Sequence, residues 1–378
     1  MTLIPESSAH GPASGSYAAI ESLAGVFHPH AIEIQDFPYY SLVIDLRPAS
    51  EYEDDHIPGA LRLDPTDWPA APLTTGPGAT SAPPLAVHEP SMPELPASLA
   101  AAVAHVRLDQ AILVYCGRGG LVSAPVAQAL RWRGWTVDVL LGGWINYRRW
   151  VLAGLEVLPR LVRFRVMACA LGSEAARVLG ALRSLGHQVL DLETLAGARR
   201  FALAAQSPDQ PAQAWFDSQL LQALRAIDPS APVWVADTGS KLGAIALPGA
   251  MNDALAIAPA ATLRTDMGAR ASAWAEDEPL CADADALIQA VVALGPAPSN
   301  ALAARWRDLA SQGFTGLLLS SVLGDHVDPA YQADRAGRVG QQHALQPLVA
   351  ASLSTAPLAE AVRQWMPPPA AEPPPSAT

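Results

Sequence analysis

One cysteine lies where a thiolate could be chemically active. The apolar run 111–115 ends at Cys116, and a helical pattern begins near position 123. The loop between them contains Gly117, Arg118, Gly119 and Gly120. Backbone N–H groups of a tight loop and the amino end of a helix both stabilise negative charge. Cys116 is therefore predicted to be a nucleophile, and an inert buried thiol is the alternative.

Two charged residues lie at the carboxyl end of the first apolar run of the chain. Asp45 and Arg47 lie at the end of the run 41–45. If that run is a strand of a parallel sheet, they lie at the carboxyl edge, where open α/β folds place their sites. Arg118 would add a fixed positive charge beside Cys116. We predict supporting roles for Asp45 and Arg47, and the alternative is a structural ion pair that braces the loop.

Strands and helices alternate along most of the sequence. Apolar runs at 41–45, 111–115 and 136–141 are separated by helical patterns, and a second alternating series begins near Leu161. Such alternation predicts an α/β fold with parallel sheets and crossover helices. In the second series, 189–192 is predicted to be a strand. From about position 283 onward the pattern is mostly helical.

Composition limits the classes of partner. The chain has 378 residues, enough for two ordinary domains, and a net charge of −12, which disfavours non-specific binding to nucleic acid. Arginines nevertheless cluster between Arg131 and Arg165, a candidate contact for RNA phosphates. Three separated cysteines imply no disulfide framework. Without a signal peptide, a membrane-length apolar stretch or zinc-type spacing, we expect a cytoplasmic protein with no bound metal.

Three ordered motifs carry a family resemblance. The first is Asp45–Tyr52 followed by His56–Ala60, the second is the loop 116–123, and the third is Leu141–Trp144. Together they resemble the signatures of rhodanese domains. The resemblance implies a small α/β domain whose cysteine, here Cys116, carries sulfur or selenium as a persulfide-type adduct.

Further blocks narrow this resemblance. The segments 142–151, 185–193 and 232–235 are similar to bacterial tRNA 2-selenouridine synthases, which join a rhodanese domain to a P-loop NTPase-like domain. That family replaces the sulfur of wobble 2-thiouridine in tRNA with selenium. The resemblance implies that selenophosphate is a substrate, with a geranyl diphosphate that first alkylates the sulfur. A sulfane sulfur donor is the other candidate substrate.

The phosphate loop of the second domain departs from the family pattern. Where the family reads roughly G-x-x-G-[ST]-G-K-T, this chain has Gly172 and Ser173 but Ala175 for the lysine and Ala176 for the threonine. A P-loop needs the lysine for phosphates and the hydroxyl for a metal. We therefore predict a degenerate P-loop with impaired binding of geranyl diphosphate or nucleotide.

The predicted domain organisation follows from these matches. A flexible arm at 1–27 precedes a rhodanese-like domain at 28–155, which contains a proline-rich excursion at about 65–96. A degenerate P-loop-like domain with a helical carboxyl-terminal part follows at 160–365, and 366–378 is a disordered tail.

Three functions remain open from the sequence. The first is a Cys116-dependent sulfur or selenium transferase that acts in the conversion of 2-thiouridine to 2-selenouridine in tRNA. The second is a diverged rhodanese-type sulfurtransferase whose second domain no longer binds nucleotide or diphosphate. The third is an interaction protein without activity, which the intact Cys116 loop disfavours.

Overall fold

The computed structural model describes most of the chain outside its termini and several loops. The described residues are 37, 39–64, 66, 94–117, 120, 122–169, 174–197, 210–277, 284–294, 297–338 and 343–366. The chain divides into two compact units, Met1–Trp150 and Val151–Thr378. The predicted arm at 1–27 lies outside the described residues, as do nearly all of the proline-rich excursion and of the tail. The domain limits drawn from the sequence stay predictions.

The first unit contains a four-stranded parallel sheet, which confirms the α/β prediction for this part. Its strands lie in the order β2-β1-β3-β4. They are β1 (Tyr40–Asp45), β2 (Leu61–Arg62), β3 (Ala111–Tyr115) and β4 (Thr136–Val139). The helices are α1 (Ala49–Asp54), α2 (Ala97–Val103) and α3 (Ser123–Arg131). The helix α4 (Gly143–Leu161) begins in this unit and contains the division at Trp150.

The central strand β3 explains why the sequence reads as an unbroken apolar run there. All five of its residues are buried, as expected for a strand covered on both faces of a parallel sheet. Ile112 and Val114 pack with Leu130 of α3 and with Cys116 in one hydrophobic core. Burial of this strand therefore places the residue that follows it at a defined point of the sheet edge.

The second unit contains a five-stranded parallel sheet in the order β11-β10-β5-β7-β6. Its strands are β5 (Phe164–Ala168), β6 (Gln188–Leu190), β7 (Val233–Ala236), β10 (Ala260–Arg264) and β11 (Leu348–Val349), beside a separate antiparallel hairpin of β8 (Lys241–Leu242) and β9 (Ile245–Ala246). The sheet-associated helices are α5 (Glu174–Ser184), α6 (Leu192–Ala196), α7 (Gln213–Arg225) and α8 (Gly249–Ile257).

The carboxyl-terminal half of the second unit is mostly helical, as predicted. Its helices are α9 (Met267–Asp277), α10 (Ala284–Leu294), α11 (Asn300–Ser311), α12 (Thr315–Val322), α13 (Asp328–Arg338) and α14 (Thr355–Trp365), with a π-helical segment at Leu323–Val327. Trp306 and Leu319 lie in the apolar core that these helices share. The short strand β11 was not predicted. None of the helices in the described residues is long and apolar enough to cross a membrane.

One predicted strand was wrong at its end. The segment 189–192 was predicted as a strand, but β6 stops at Leu190 and Leu192 already belongs to α6. Asp191 caps this helix, because its side chain accepts a hydrogen bond from the Thr194 backbone N–H at 3.0 Å. A side chain of this type at a helix N-cap satisfies a donor that the helix itself leaves open. The cap therefore ends the strand.

Candidate functional site

The structure places Cys116 directly after the fully buried strand β3. The side chain is itself buried, and it packs in the core of the first unit with Val126 and Ala127 of α3. Cys116 is not in a disulfide. The strand therefore delivers the sulfur to the carboxyl edge of the sheet, the edge at which the sequence predicted a site.

The hydroxyl of Ser123 is a polar partner of the Cys116 thiol. Ser123 is the first residue of α3 and is fully buried. Its Oγ–H donates to the Cys116 sulfur at an Oγ–Sγ distance of 3.4 Å. A hydroxyl donor and the amino end of a helix both favour a negatively charged sulfur. Sequence reasoning missed this role, although a hydroxyl residue in the first turn of the helix after a cysteine loop is a usable signal.

The loop between Cys116 and α3 is described in part. Gly117 and Gly120 are described, whereas Arg118 and Gly119 lie outside the described residues, so their predicted roles stay predictions. Gly120 has a φ of 76°, and its carbonyl accepts a hydrogen bond from the Ala124 N–H at 2.8 Å. This left-handed conformation is open to glycine and turns the loop into the helix.

A glycine pair allows a second segment to approach the backbone of Cys116. The N–H of Trp144 donates to the Cys116 carbonyl at 2.9 Å. Gly143, just before it, has a φ of 58°, and a Cβ atom there would lie 2.2 Å from the Cys116 carbonyl oxygen. Only a residue without a side chain fits so close to another backbone. The Leu141–Trp144 motif thus holds the backbone of Cys116 in place.

Asp45 and Arg47 form a buried ion pair. Their side chains are 0% and 1% exposed, and Arg47 Nη2 lies 2.6 Å from Asp45 Oδ2. The Arg47 N–H also donates to Asp45 Oδ1 at 2.9 Å, and Nη2 donates to the Asp55 carbonyl. The guanidinium carbon lies 4.8 Å from the centre of the Trp144 ring, within reach of a cation–π contact. These contacts favour the interpretation as a structural pair.

Tyr115 extends this network from the residue before the cysteine. Its hydroxyl donates to Asp45 Oδ2 at 2.6 Å and accepts from the Ile57 N–H at 3.1 Å. Burial, and then the neighbouring Asp45 carboxylate, raises the pKa of Tyr115 far above its usual range. Tyr115 therefore stays protonated, and it ties β1 and the 55–60 turn to the strand that carries Cys116.

His56 belongs to the same turn. Its ring stacks on Tyr52 with centroids 3.8 Å apart, and Nδ1 lies 2.8 Å from the Tyr52 carbonyl oxygen. Because a carbonyl only accepts, the Nδ1 of His56 carries the proton in this bond. Burial lowers the pKa of His56 below its ordinary value. The residue therefore acts as a neutral hydrogen-bond donor within the turn.

The predicted phosphate loop of the second unit is only partly described. Gly172 and Ser173 lie outside the described residues. Ala175, where the family pattern has lysine, is buried in an apolar core with Cys169, Val178 and Ala236. A lysine ammonium would be desolvated at this position. The geometry around Ala175 is therefore that of core packing.

A charged cluster lies at the end of strand β7, and sequence reasoning did not find it. The side chain of Asp237 is 6% exposed, and it accepts from the Tyr331 hydroxyl at 2.9 Å. It also accepts from Arg335 Nη1 at 3.4 Å and from Arg338 Nη2 at 3.2 Å. All three donors come from α13, about 100 residues further along the chain. Asp237 thus fastens α13 to the carboxyl edge of the second sheet.

The arginines of the predicted basic stretch, Arg131 to Arg165, include some that contact other groups of the protein and some that are exposed to solvent. Arg131 donates from Nε to the Val137 carbonyl at 2.7 Å, and Arg133 donates to the Ala129 carbonyl at 3.0 Å. Arg148 lies 3.9 Å from the buried carboxylate of Asp55. The exposed members are Arg149, Arg160 and Arg163. Several arginines of this stretch therefore support the first unit internally rather than facing solvent.

Comparisons with known proteins agree with this geometry. A family model described as "Rhodanese-like domain" matches residues 31–149, and one described as "tRNA 2-selenouridine synthase AAA domain" matches residues 162–288. The first match contains the Cys116 loop and the Asp45–Arg47 pair. The second contains β5, the predicted phosphate loop and Asp237.

Individual relatives match over part of their length. The tRNA 2-selenouridine synthase of Hahella chejuensis is 32% identical over 149 residues, 39% of this chain and 38% of the relative. The protein of that name from Marinobacter nauticus is 29% identical over 159 residues, 42% of each chain. The matches therefore span about two fifths of the length of these relatives.

Proposed function

Since one part of the chain matches the rhodanese-like domain and another the tRNA 2-selenouridine synthase AAA domain, we propose that it transfers sulfur or selenium through an adduct on Cys116 during tRNA modification. The acceptor in this proposal is wobble 2-thiouridine, which is converted to 2-selenouridine. The similar proteins carry the name of that activity. One observation of the site carries the proposal: the Cys116 sulfur lies at the sheet edge with the Ser123 hydroxyl at 3.4 Å.

The loading step is a sulfur exchange. The Cys116 thiolate attacks the outer sulfur of a thiosulfate-type donor, forms a new S–S bond and releases sulfite with the electron pair of the broken S–S bond. The product is a Cys116 persulfide anion, and charge is conserved. Attack of an acceptor on the terminal sulfur then regenerates the thiolate. Selenosulfate loads selenium by the same exchange. For transfer to tRNA, the terminal selenium of the adduct attacks C2 of the 2-thiouridine, and the C2–S bond breaks with release of hydrogen sulfide. A thiol then attacks the Cys116 sulfur, which breaks the S–Se bond, leaves selenium on C2 and forms a mixed disulfide that a second thiol reduces.

Selenophosphate enters the proposal at a different step. Its selenium is already at the selenide level, so it cannot load a thiolate by this exchange without an oxidant. We place selenophosphate as a nucleophilic donor at the tRNA-bound step. Its selenium attacks C2 of the 2-thiouridine, the C2–S bond breaks with release of hydrogen sulfide, and water then hydrolyses the Se–P bond to release phosphate. Geranyl diphosphate as a further substrate is disfavoured by Ala175, which lies in the core where the family pattern has its phosphate-binding lysine.

The buried position of Ala175 also supports a second candidate function. In it, the first unit works as a rhodanese-type sulfurtransferase, while the second unit binds neither nucleotide nor diphosphate and serves as a scaffold. The two candidates share the Cys116 chemistry and differ in the acceptor. A test must therefore read out the sulfur transfer and the tRNA product separately.

Sulfur transfer is tested by turnover of thiosulfate with cyanide as the acceptor. The wild-type chain should form thiocyanate, and Cys116→Ser should form none. Cys169→Ser is the matched control, because Cys169 is also buried and outside any disulfide, and it should keep the wild-type rate. Equal activity of Cys116→Ser and the wild type would contradict the proposal.

The tRNA product is tested by nucleoside analysis of tRNA from a strain that lacks the gene. We expect 2-selenouridine to disappear and to return with the wild-type gene but not with Cys116→Ser. Unchanged 2-selenouridine in the deletion strain, together with thiocyanate formation in vitro, would select the second candidate.

A further inference from the structure

A cavity of about 630 Å³ lies at the amino edge of the second sheet, away from the Asp237 edge. Phe164 begins β5, Pro232 precedes β7 and Pro259 precedes β10, and all three residues line the cavity. Because the strands are parallel, their amino ends meet at one edge. The volume falls in the range of about 300–1,000 Å³ that is typical of ligand pockets.

Arginines predominate among the charged residues that line this cavity, although the chain as a whole is acidic. In the described part of the chain, its charged lining residues are Arg160, Arg163 and Arg165 with the acid Asp253. The chain as a whole carries a net charge of −12. A local excess of arginine that persists in such a chain favours an anionic ligand at this place.

Two of these arginines can exchange their present contacts for a ligand. Arg163 is exposed. Arg160 is 58% exposed, and its Nη2 lies 3.8 Å from Glu156, which is also exposed. A long, solvent-exposed ion pair of this kind contributes little to stability, so an incoming phosphate can replace it. Arg165 differs, because its guanidinium lies 5.7 Å from the centre of the Trp234 ring and its Nη1 contacts Met366 Sδ.

The walls of the cavity are largely apolar. Pro159, Phe164 and Ala258 form part of the lining, and Ile257 at the rim is 70% exposed. An apolar recess bordered by arginines matches an unstacked nucleotide, whose base has an apolar face and whose phosphates are charged.

We propose that this cavity binds an unstacked nucleotide of a single-stranded tRNA segment, with the adjoining phosphates on Arg160 and Arg163. The inference rests on the proposed function, because it takes tRNA as the substrate. It assigns the second unit a role in holding RNA at the amino edge of its sheet, a role that does not require the phosphate loop.

Binding of the full chain to a fluorescently labelled, unmodified tRNA transcript tests this site. The variant Arg160→Gln/Arg163→Gln should bind about tenfold more weakly or worse, and its salt dependence should lose a slope of about 1 for each arginine removed. Arg183→Gln is the control, because Arg183 is 56% exposed on α5 and does not line the cavity. It should bind as the wild type does.

A second variant tests the apolar part of the site. Ile257→Ser removes an exposed side chain, so folding is preserved, and it should weaken binding without changing the salt slope. Wild-type affinity in Arg160→Gln/Arg163→Gln, equal losses in Arg183→Gln, or no binding of tRNA by the wild-type chain would each overturn the inference. Thiocyanate formation by the same variants reports on Cys116 alone and should be unchanged, so failure of the RNA site and failure of the Cys116 chemistry are distinguished.

Discussion

The hydroxyl of Ser123 donates to the sulfur of Cys116 at 3.4 Å, within the buried junction of β3 and α3. This contact joins the last residue before the loop to the first residue of the following helix. It gives a hydrogen-bond donor to the Cys116 sulfur, which carries a negative charge in the proposed mechanism.

Ser123→Ala should slow the reaction of Cys116. A hydrogen bond to a charged group contributes about 1.5–3 kcal/mol, so the rate should fall by at least about tenfold. The measurement is the rate of Cys116 alkylation by iodoacetamide, with Ser123→Thr as the variant that retains the hydroxyl. An alkylation rate in Ser123→Ala equal to that of the wild type would show that the hydroxyl does not act on the sulfur.

Gly143→Ala should displace the backbone of Cys116. The new Cβ would lie 2.2 Å from the Cys116 carbonyl oxygen, and the residue would also keep an unfavourable φ of 58°. Gly59→Ala is the matched control, since Gly59 has a φ of 84° but no atom within 4 Å of the added Cβ. Both substitutions carry a conformational cost of about 1–2 kcal/mol, and only Gly143→Ala adds a clash. Urea unfolding should show the larger loss for Gly143→Ala, and equal losses would contradict this account.

Arg47→Ala should destabilise the first unit through the loss of its ion pair with Asp45, and not through an effect on the Cys116 sulfur. Removing one partner of a buried pair leaves an uncompensated charge, here Asp45, and costs about 3–5 kcal/mol. Arg107→Ala breaks a pair whose side chains are exposed, Arg107–Asp109, and should leave the free energy of unfolding nearly unchanged. The comparison is made by chemical unfolding of the two variants. A small effect of Arg47→Ala would mean that the buried network is not structural.

The pH dependence of stability should contain a contribution from His56. Burial lowers its pKa in the folded chain, whereas an unfolded histidine titrates near about 6.5. Below that pH the unfolded state binds more protons, so stability is present at higher pH and is lost as the pH falls. The free energy of unfolding should decrease from about pH 8 to about pH 5, and it should decrease less in His56→Gln. An identical pH dependence in both chains would exclude this role of His56.

The parts of the fold that could be predicted are those that local patterns determine. The buried run before Cys116 and the helix after its loop follow from apolar periodicity and glycine placement. The predicted strand extends past the end of β6 because Leu192 continues the apolar pattern of Val189 and Leu190. Asp191 instead caps α6, and this local signal ends the strand.

Contacts between segments that are distant in the chain could not be predicted from the sequence. Asp45 and Arg47 could be recognised as a possible pair, but their partners Tyr115 and Trp144 come from β3 and α4. In the same way, Asp237 is bound by α13 through pairings that no local pattern encodes. Such partners are selected by packing, which a single sequence does not reveal.

The most direct test of the central claim is the mass of Cys116 itself. After treatment with thiosulfate and removal of excess reagent, mass spectrometry of the intact wild-type chain should show the gain of one sulfur atom. Peptide analysis should place that atom on Cys116, and Cys116→Ser should gain none. A wild-type chain that gains no sulfur, or a Cys116→Ser variant that gains as much, would contradict the account.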